Sequence, residues 1–63
     1  MILKAVIVDD EAISRETLRN YVSKYCTDID VVSEADSVKS ALIEIKKYNP
    51  DIVFLDVEMP YLP

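Results

Sequence analysis

Glycine is absent from this 63-residue chain. Glycine supplies positive φ at turns and helix C-caps, and it lets backbone approach phosphates closely. Its absence excludes a glycine-rich nucleotide loop within the chain. Turns must then be built from Asp, Asn, Ser and Pro, and helix ends must use Asn49 or Pro50. Histidine is absent too, and Cys26 is the single cysteine. No intrachain disulfide can form, and Cys26 has no partner for metal or nucleophile chemistry, so it reads as an ordinary thiol near a helix end. A reducing cytoplasm is the simplest compartment. No apolar run approaches the roughly 18 residues of a membrane span, and the N-terminus carries no signal-peptide pattern. Internal repeats, low-complexity tracts and linkers are missing as well. The net charge of −5 argues against nucleic-acid binding by this segment alone.

Half of the residues, 51%, are apolar, which is a globular composition. The length allows one domain, spanning residues 1–63. A chain this short buries only about 60% of its unfolded surface, so its core is marginal. Residues 2–9 are nearly all apolar apart from Lys4, which predicts a strand buried on both faces. Residues 29–35 predict a second strand, and their weaker apolarity suggests an edge position. Residues 52–57 predict a third.

Two helices are expected between the strands. From Glu11 to about Tyr25, apolar residues fall at Ile13, Leu18, Tyr21, Val22 and Tyr25, with Arg15, Glu16, Arg19 and Lys24 on the wet side. Asp9 or Asp10 is placed to cap this helix, and Glu11–Arg15 has the spacing of an ion pair worth about 0.2–0.5 kcal/mol. In the second helix, Val38, Ala41, Leu42, Ile45 and Tyr48 share one face. Asp36 or Ser37 can cap its start, Lys46 and Lys47 suit its C-terminal dipole, and Asn49-Pro50 stops it. Tyr21, Tyr25 and Tyr48 are expected in the core or at its rim.

Strands alternating with helices imply an α/β fold with a parallel sheet and right-handed crossovers. If the strand order is 2-1-3, the order reverses beside strand one, and ligands in such sheets bind outside the carboxyl ends of the strands at that point. Asp9 and Asp10 end strand one, and Asp56 follows the apolar run of strand three. Two acids after a strand are often only a helix cap. Three carboxylates at one edge repel, and a hard divalent cation such as Mg²⁺ removes that repulsion. One carboxylate is then free to act as a nucleophile.

The string Val6-Ile7-Val8-Asp9-Asp10-Glu11, followed by Phe54-Leu55-Asp56-Val57-Glu58-Met59-Pro60, closely resembles the receiver domain of bacterial two-component response regulators. Asn49-Pro50-Asp51-Ile52-Val53 also looks like the approach to the family's third strand. The resemblance implies a partial doubly wound, flavodoxin-like sheet with strand order 2-1-3. It implies that Asp56 is the phosphoacceptor for a sensor histidine kinase. Asp9, Asp10, Asp56 and the backbone carbonyl of Glu58 would hold Mg²⁺, Asp10 most directly and Asp9 partly through water. The helix that begins at Glu11 and the segment 36–41 look most like receivers attached to LytTR-type DNA-binding domains. The implied output is transcription, with DNA contacted only through such a domain. The implied role is that of a phosphoacceptor protein, not an enzyme.

The chain departs from the family pattern by ending after the third strand. The Ser/Thr, Lys and aromatic switch residue of the family's later strands have no counterpart here, so residues 1–63 are expected to be the first part of a receiver. Two other readings compete. An aspartate-nucleophile phosphohydrolase would need a second acid, Thr and Gly after Asp56, where this chain has Glu58 and no glycine. A phosphorylation-incompetent segment would act only by pairing through the third-strand edge. An apolar strand without a neighbour is a template for another chain. The isolated chain is therefore expected to be unstable or to self-associate through that edge. Light scattering checks this, and a monomer with cooperative unfolding would contradict it.

Overall fold

The computed structural model describes residues 1–56, with the side chain of Asp56 outside the description. The elements run β1 (Leu3–Asp9), α1 (Ala12–Tyr25), β2 (Ile29–Ala35), α2 (Val38–Tyr48) and β3 (Ile52–Asp56). The three strands form a parallel sheet, as the alternating pattern implied, in the order β2-β1-β3 that the family resemblance implied. Successive crossovers in opposite directions from a right-handed rule place the two helices on opposite faces. Among the described residues, no helix is long and apolar enough to cross a membrane.

Central position explains the composition of β1. Ala5, Val6 and Ile7 are 0% exposed and Val8 is 1% exposed. Val6 and Val8 pack with Ala35, Ala41, Val32 and Ile45, so one face of β1 is sealed by α2. Alternation gives Ala5, Ile7 and Asp9 to the opposite face, and Val22 of α1 is buried. β2 is an edge strand, as its weaker apolarity suggested. Its pairing with β1 slips between Ala5↔Val31 and Val6↔Ser33, so Val32 is an extra residue. Such a bulge twists an edge away from foreign strands.

The turns show how a chain without glycine closes its helices. Asn49 ends α2 in the left-handed region at φ 47, and its N–H bonds to the Ile45 carbonyl. Asparagine tolerates that conformation because its short side chain bonds locally. Ser37 caps the start of α2 by accepting from the Ser40 N–H, and Ser40 Oγ accepts from the Ser37 N–H in return. The following strand is then locked to β1. The Lys4 N–H donates to Asp51 Oδ2 at 2.8 Å, the Asp51 N–H donates to the Lys4 carbonyl at 2.8 Å, and Lys4 Nζ reaches the Tyr48 carbonyl at 3.0 Å.

Several local expectations are corrected. Asp10 does not cap α1: Glu11 occupies the cap position without a side-chain bond, and Asp9 Oδ1 takes the Glu11 N–H instead. Arg15 pairs with Glu34 on β2 and not with Glu11. The strand supplies a closer and less solvated carboxylate than the neighbouring turn, which outweighs a pair worth tenths of a kcal/mol. Tyr21 and Tyr25 are 59% and 63% exposed and lie against each other, with ring centroids 4.8 Å apart. Val22 is the buried residue of α1. Val38 and Leu42 are exposed on α2, where Ala41 takes the central contact. Tyr48 is half-buried, near the expected rim. Val57, expected to end the third strand, lies outside the described residues, as do Glu58, Met59 and Pro60.

The left-handed cap generates a direct check. Asn49→Ala is expected to lower stability by about 1 kcal/mol, because an alanine Cβ is disfavoured there. Asn49→Gly is expected to be neutral or stabilising. Urea midpoints of the two variants measure the difference.

Candidate functional site

The carboxyl ends of β1 and β3 coincide. Their parallel register runs Ala5↔Ile52, Val6↔Val53, Ile7↔Phe54, Val8↔Leu55 and Asp9↔Asp56. Paired strands lie about 4.8 Å apart, so positions 9 and 56 are immediate neighbours at the sheet edge. The reciprocal Lys4–Asp51 bonds hold the other end of the same ladder. A slip of one residue would move every side chain to the other face. This lock therefore decides which residue stands beside Asp9.

Asp9 is 3% exposed, the buried charged residue among the described core. Its Oδ1 accepts from the Glu11 N–H at 2.9 Å, and its backbone carbonyl accepts from Arg15 Nη1 at 2.9 Å. Asp10 follows at once and is exposed at the mouth of the site. The β1–α1 turn thus presents one sheltered and one open carboxylate beside the end of β3. Of the expected site residues, the structure brings Asp9, Asp10 and the backbone of Asp56 to one sheet edge at the strand-order switch. Glu58 lies outside the described residues, so the expected carbonyl ligand has no structural account.

Two residues of this region were not legible beforehand. Helical spacing puts Arg15 on the wet side of its helix, and Glu34 falls inside the run 29–35 that predicts a strand. Arg15 Nε lies 3.3 Å from Glu34 Oε1, while Arg19 bonds the other Glu34 oxygen. The available signal was Glu34 itself: an acid inside a strand usually has a cationic partner.

Among the described residues no group of three acids is placed to hold a metal ion, and the side chains that Asp9 and Asp10 bring to this edge are hard oxygen donors. Carboxylate oxygens at an accessible edge leave room for the waters that Mg²⁺ retains, and such sites use few protein ligands. Soft thiolate or imidazole donors are lacking here, since histidine is absent and Cys26 lies at the C-terminal end of α1.

The chain is similar to known proteins in sequence and in fold. The family described as "Response regulator receiver domain" matches residues 5–62. Sensory transduction protein LytT of Bacillus anthracis is 42% identical over 57 residues, covering 90% of this chain and 23% of that protein. Transcriptional regulatory protein BtsR of Escherichia coli (strain K12) is 38% identical over 58 residues, covering 92% of this chain and 24% of that protein. Among solved structures, the signal receiver domain of NarL from Mycobacterium tuberculosis superposes with a TM-score of 0.83 at 34% identity, covering 97% of this chain and 48% of that one. The chain thus spans about a quarter of the length of these curated relatives and about half of the solved receiver domain. With the Asp-Asp turn, the 2-1-3 parallel sheet and Asp56 at its edge, these matches show that the chain belongs to the response regulator receiver domain family.

Proposed function

We propose that this receiver domain sequence serves as a phosphoacceptor in two-component signalling, with Asp56 as the acceptor and a sensor histidine kinase as the donor. The observation that carries this reading is the Asp9↔Asp56 register, which makes the ends of β1 and β3 one acidic edge. An Asp56 carboxylate oxygen attacks the phosphorus of a phosphohistidine. The P–N bond breaks, its electron pair leaves with the imidazole, and an acyl phosphate forms. Asp9, Asp10, Asp56 and the Glu58 carbonyl are the residues that would hold Mg²⁺. A bound Mg²⁺ supplies positive charge for the phosphoryl oxygens in a site that is otherwise repulsive to them. Burial keeps Asp9 in place, and the exposure of Asp10 leaves the edge open to an incoming phosphoryl group.

The cytoplasm is the compartment where such a kinase domain would meet it. The output we assign is transcription, through a DNA-binding domain of the LytTR type. The names of LytT, a sensory transduction protein, and BtsR, a transcriptional regulatory protein, support the signalling role and the transcriptional output. The role is that of an acceptor in a relay, not of an enzyme with turnover of its own.

A second reading is favoured by a separate observation. Leu55 is 65% exposed and Val53 40% exposed, so β3 offers an apolar outer strand. The chain would then act without phosphorylation, through association at that edge.

Intact mass after incubation with Mg²⁺ and a small-molecule phosphodonor separates the two. The phosphoacceptor reading expects a hydroxylamine-labile phosphoryl adduct that is lost without Mg²⁺ and lost in Asp56→Asn. A folded sample that takes no adduct would overturn it in favour of edge association.

A further inference from the structure

Arg15 is placed to organise the acidic turn, although it belongs to no carboxylate of that turn. Its backbone N–H closes the first turn of α1 on the Glu11 carbonyl at 3.0 Å, which fixes where the side chain starts. The side chain then folds back to the end of β1. Nη1 donates to the Asp9 carbonyl at 2.9 Å and Nε to Glu34 Oε1 at 3.3 Å. The Asp9 carbonyl is part of the peptide unit that joins Asp9 to Asp10. That unit is planar, so holding its oxygen sets the direction in which Asp10 leaves the strand. From the other side, Asp9 Oδ1 holds the Glu11 N–H at 2.9 Å. The turn carrying both acids is clamped before and after Asp10.

Glu34 is what makes the clamp rigid. It sits on β2 opposite Ile7, and its two oxygens take Arg15 and Arg19. Both Arg15 and Glu34 are largely sheltered, at 22% and 25% side-chain exposure. A planar guanidinium can hold a carboxylate and a carbonyl at once, which an ammonium does poorly. Arg15 therefore ties β2, the end of β1 and the first turn of α1 into one unit.

We propose that Arg15, held by Glu34, is a positioning residue for cation binding by Asp9 and Asp10. This deepens the phosphoacceptor reading and rests on its Mg²⁺ site. Groups that orient metal ligands from behind typically contribute 10–100-fold in affinity. The sign of the effect separates positioning from charge. Removing a cationic side chain near two carboxylates strengthens cation binding if its role is merely electrostatic. It weakens binding if the side chain orients the ligands.

The test is an MgCl₂ titration of the 63-residue chain, followed through the backbone amide shifts of Asp10 and Glu11, in samples with wild-type circular dichroism. Arg15→Ala is expected to weaken Mg²⁺ binding about tenfold. Glu34→Gln, which leaves Arg15 in place but loosens it, is expected to weaken it less. Arg15→Lys is expected to recover part of the loss, and Lys24→Ala, in the last turn of α1, to leave affinity unchanged. If Arg15→Ala does not fold, Arg15→Gln, which also removes the positive charge, decides by the same sign. Binding as tight as wild type, or tighter, in Arg15→Ala, or in Arg15→Gln where the alanine variant does not fold, would overturn the role of Arg15 while leaving the Mg²⁺ site intact. No saturable shift in the folded wild type would overturn the Mg²⁺ reading itself and this inference with it.

Discussion

Parallel pairing of β1 with strands on both sides is the constraint from which the remainder follows. A parallel strand with two neighbours is covered on both faces by crossover helices, which is why Ala5 to Val8 are apolar without alternation. The same geometry requires a reversal of direction beside β1, and a cleft opens at the carboxyl ends where the chain turns away to opposite faces. Asp9 ends that buried strand. Its carboxylate is sheltered because the strand is central, and it is bonded because the turn into α1 offers the Glu11 N–H. An acid so placed is a consequence of the topology as much as of its own chemistry.

Register carries this constraint from packing to chemistry. The Lys4–Asp51 bonds fix the start of β3 against β1, and the ladder delivers position 56 opposite position 9. Asn49 makes the hand-over possible: its left-handed conformation turns α2 toward Pro50 and Asp51 in a chain that has no glycine for the purpose. A structural cap and a functional edge are thus connected through four paired positions of strand. Arg15 and Glu34 act at the other side of the same edge, tying the acidic turn to β2.

Much of this was legible in the residues, because periodicity and strand ends are local signals. The five elements, the 29–35 strand, the Ser37 cap and the Asn49 stop all follow from neighbours a few positions apart. The 2-1-3 order was reachable only as a condition, and the resemblance to receiver domains together with the sheet itself supplied it. What escaped was long-range competition between partners. Arg15 has Glu11 four residues away, yet it chooses Glu34, nineteen residues on in sequence, because β2 presents the Glu34 carboxylate and the end of β1 the Asp9 carbonyl to one guanidinium. The tyrosines of α1 share a helical face with Val22 by spacing, but one small buried side chain satisfies the contact and leaves Tyr21 and Tyr25 in solvent.

The central claim is that the ends of β1 and β3 form one cation-binding edge built from Asp9, Asp10 and Asp56. Paramagnetic broadening by Mn²⁺, a substitute for Mg²⁺ with the same preference for hard oxygen donors, tests it most directly. Trace Mn²⁺ added to the isotope-labelled chain should broaden the amides of residues 9, 10 and 56 first and together, and excess Mg²⁺ should restore them. Broadening centred on another acidic stretch, such as Asp28 and Asp30, with residues 9, 10 and 56 unaffected, would contradict the account.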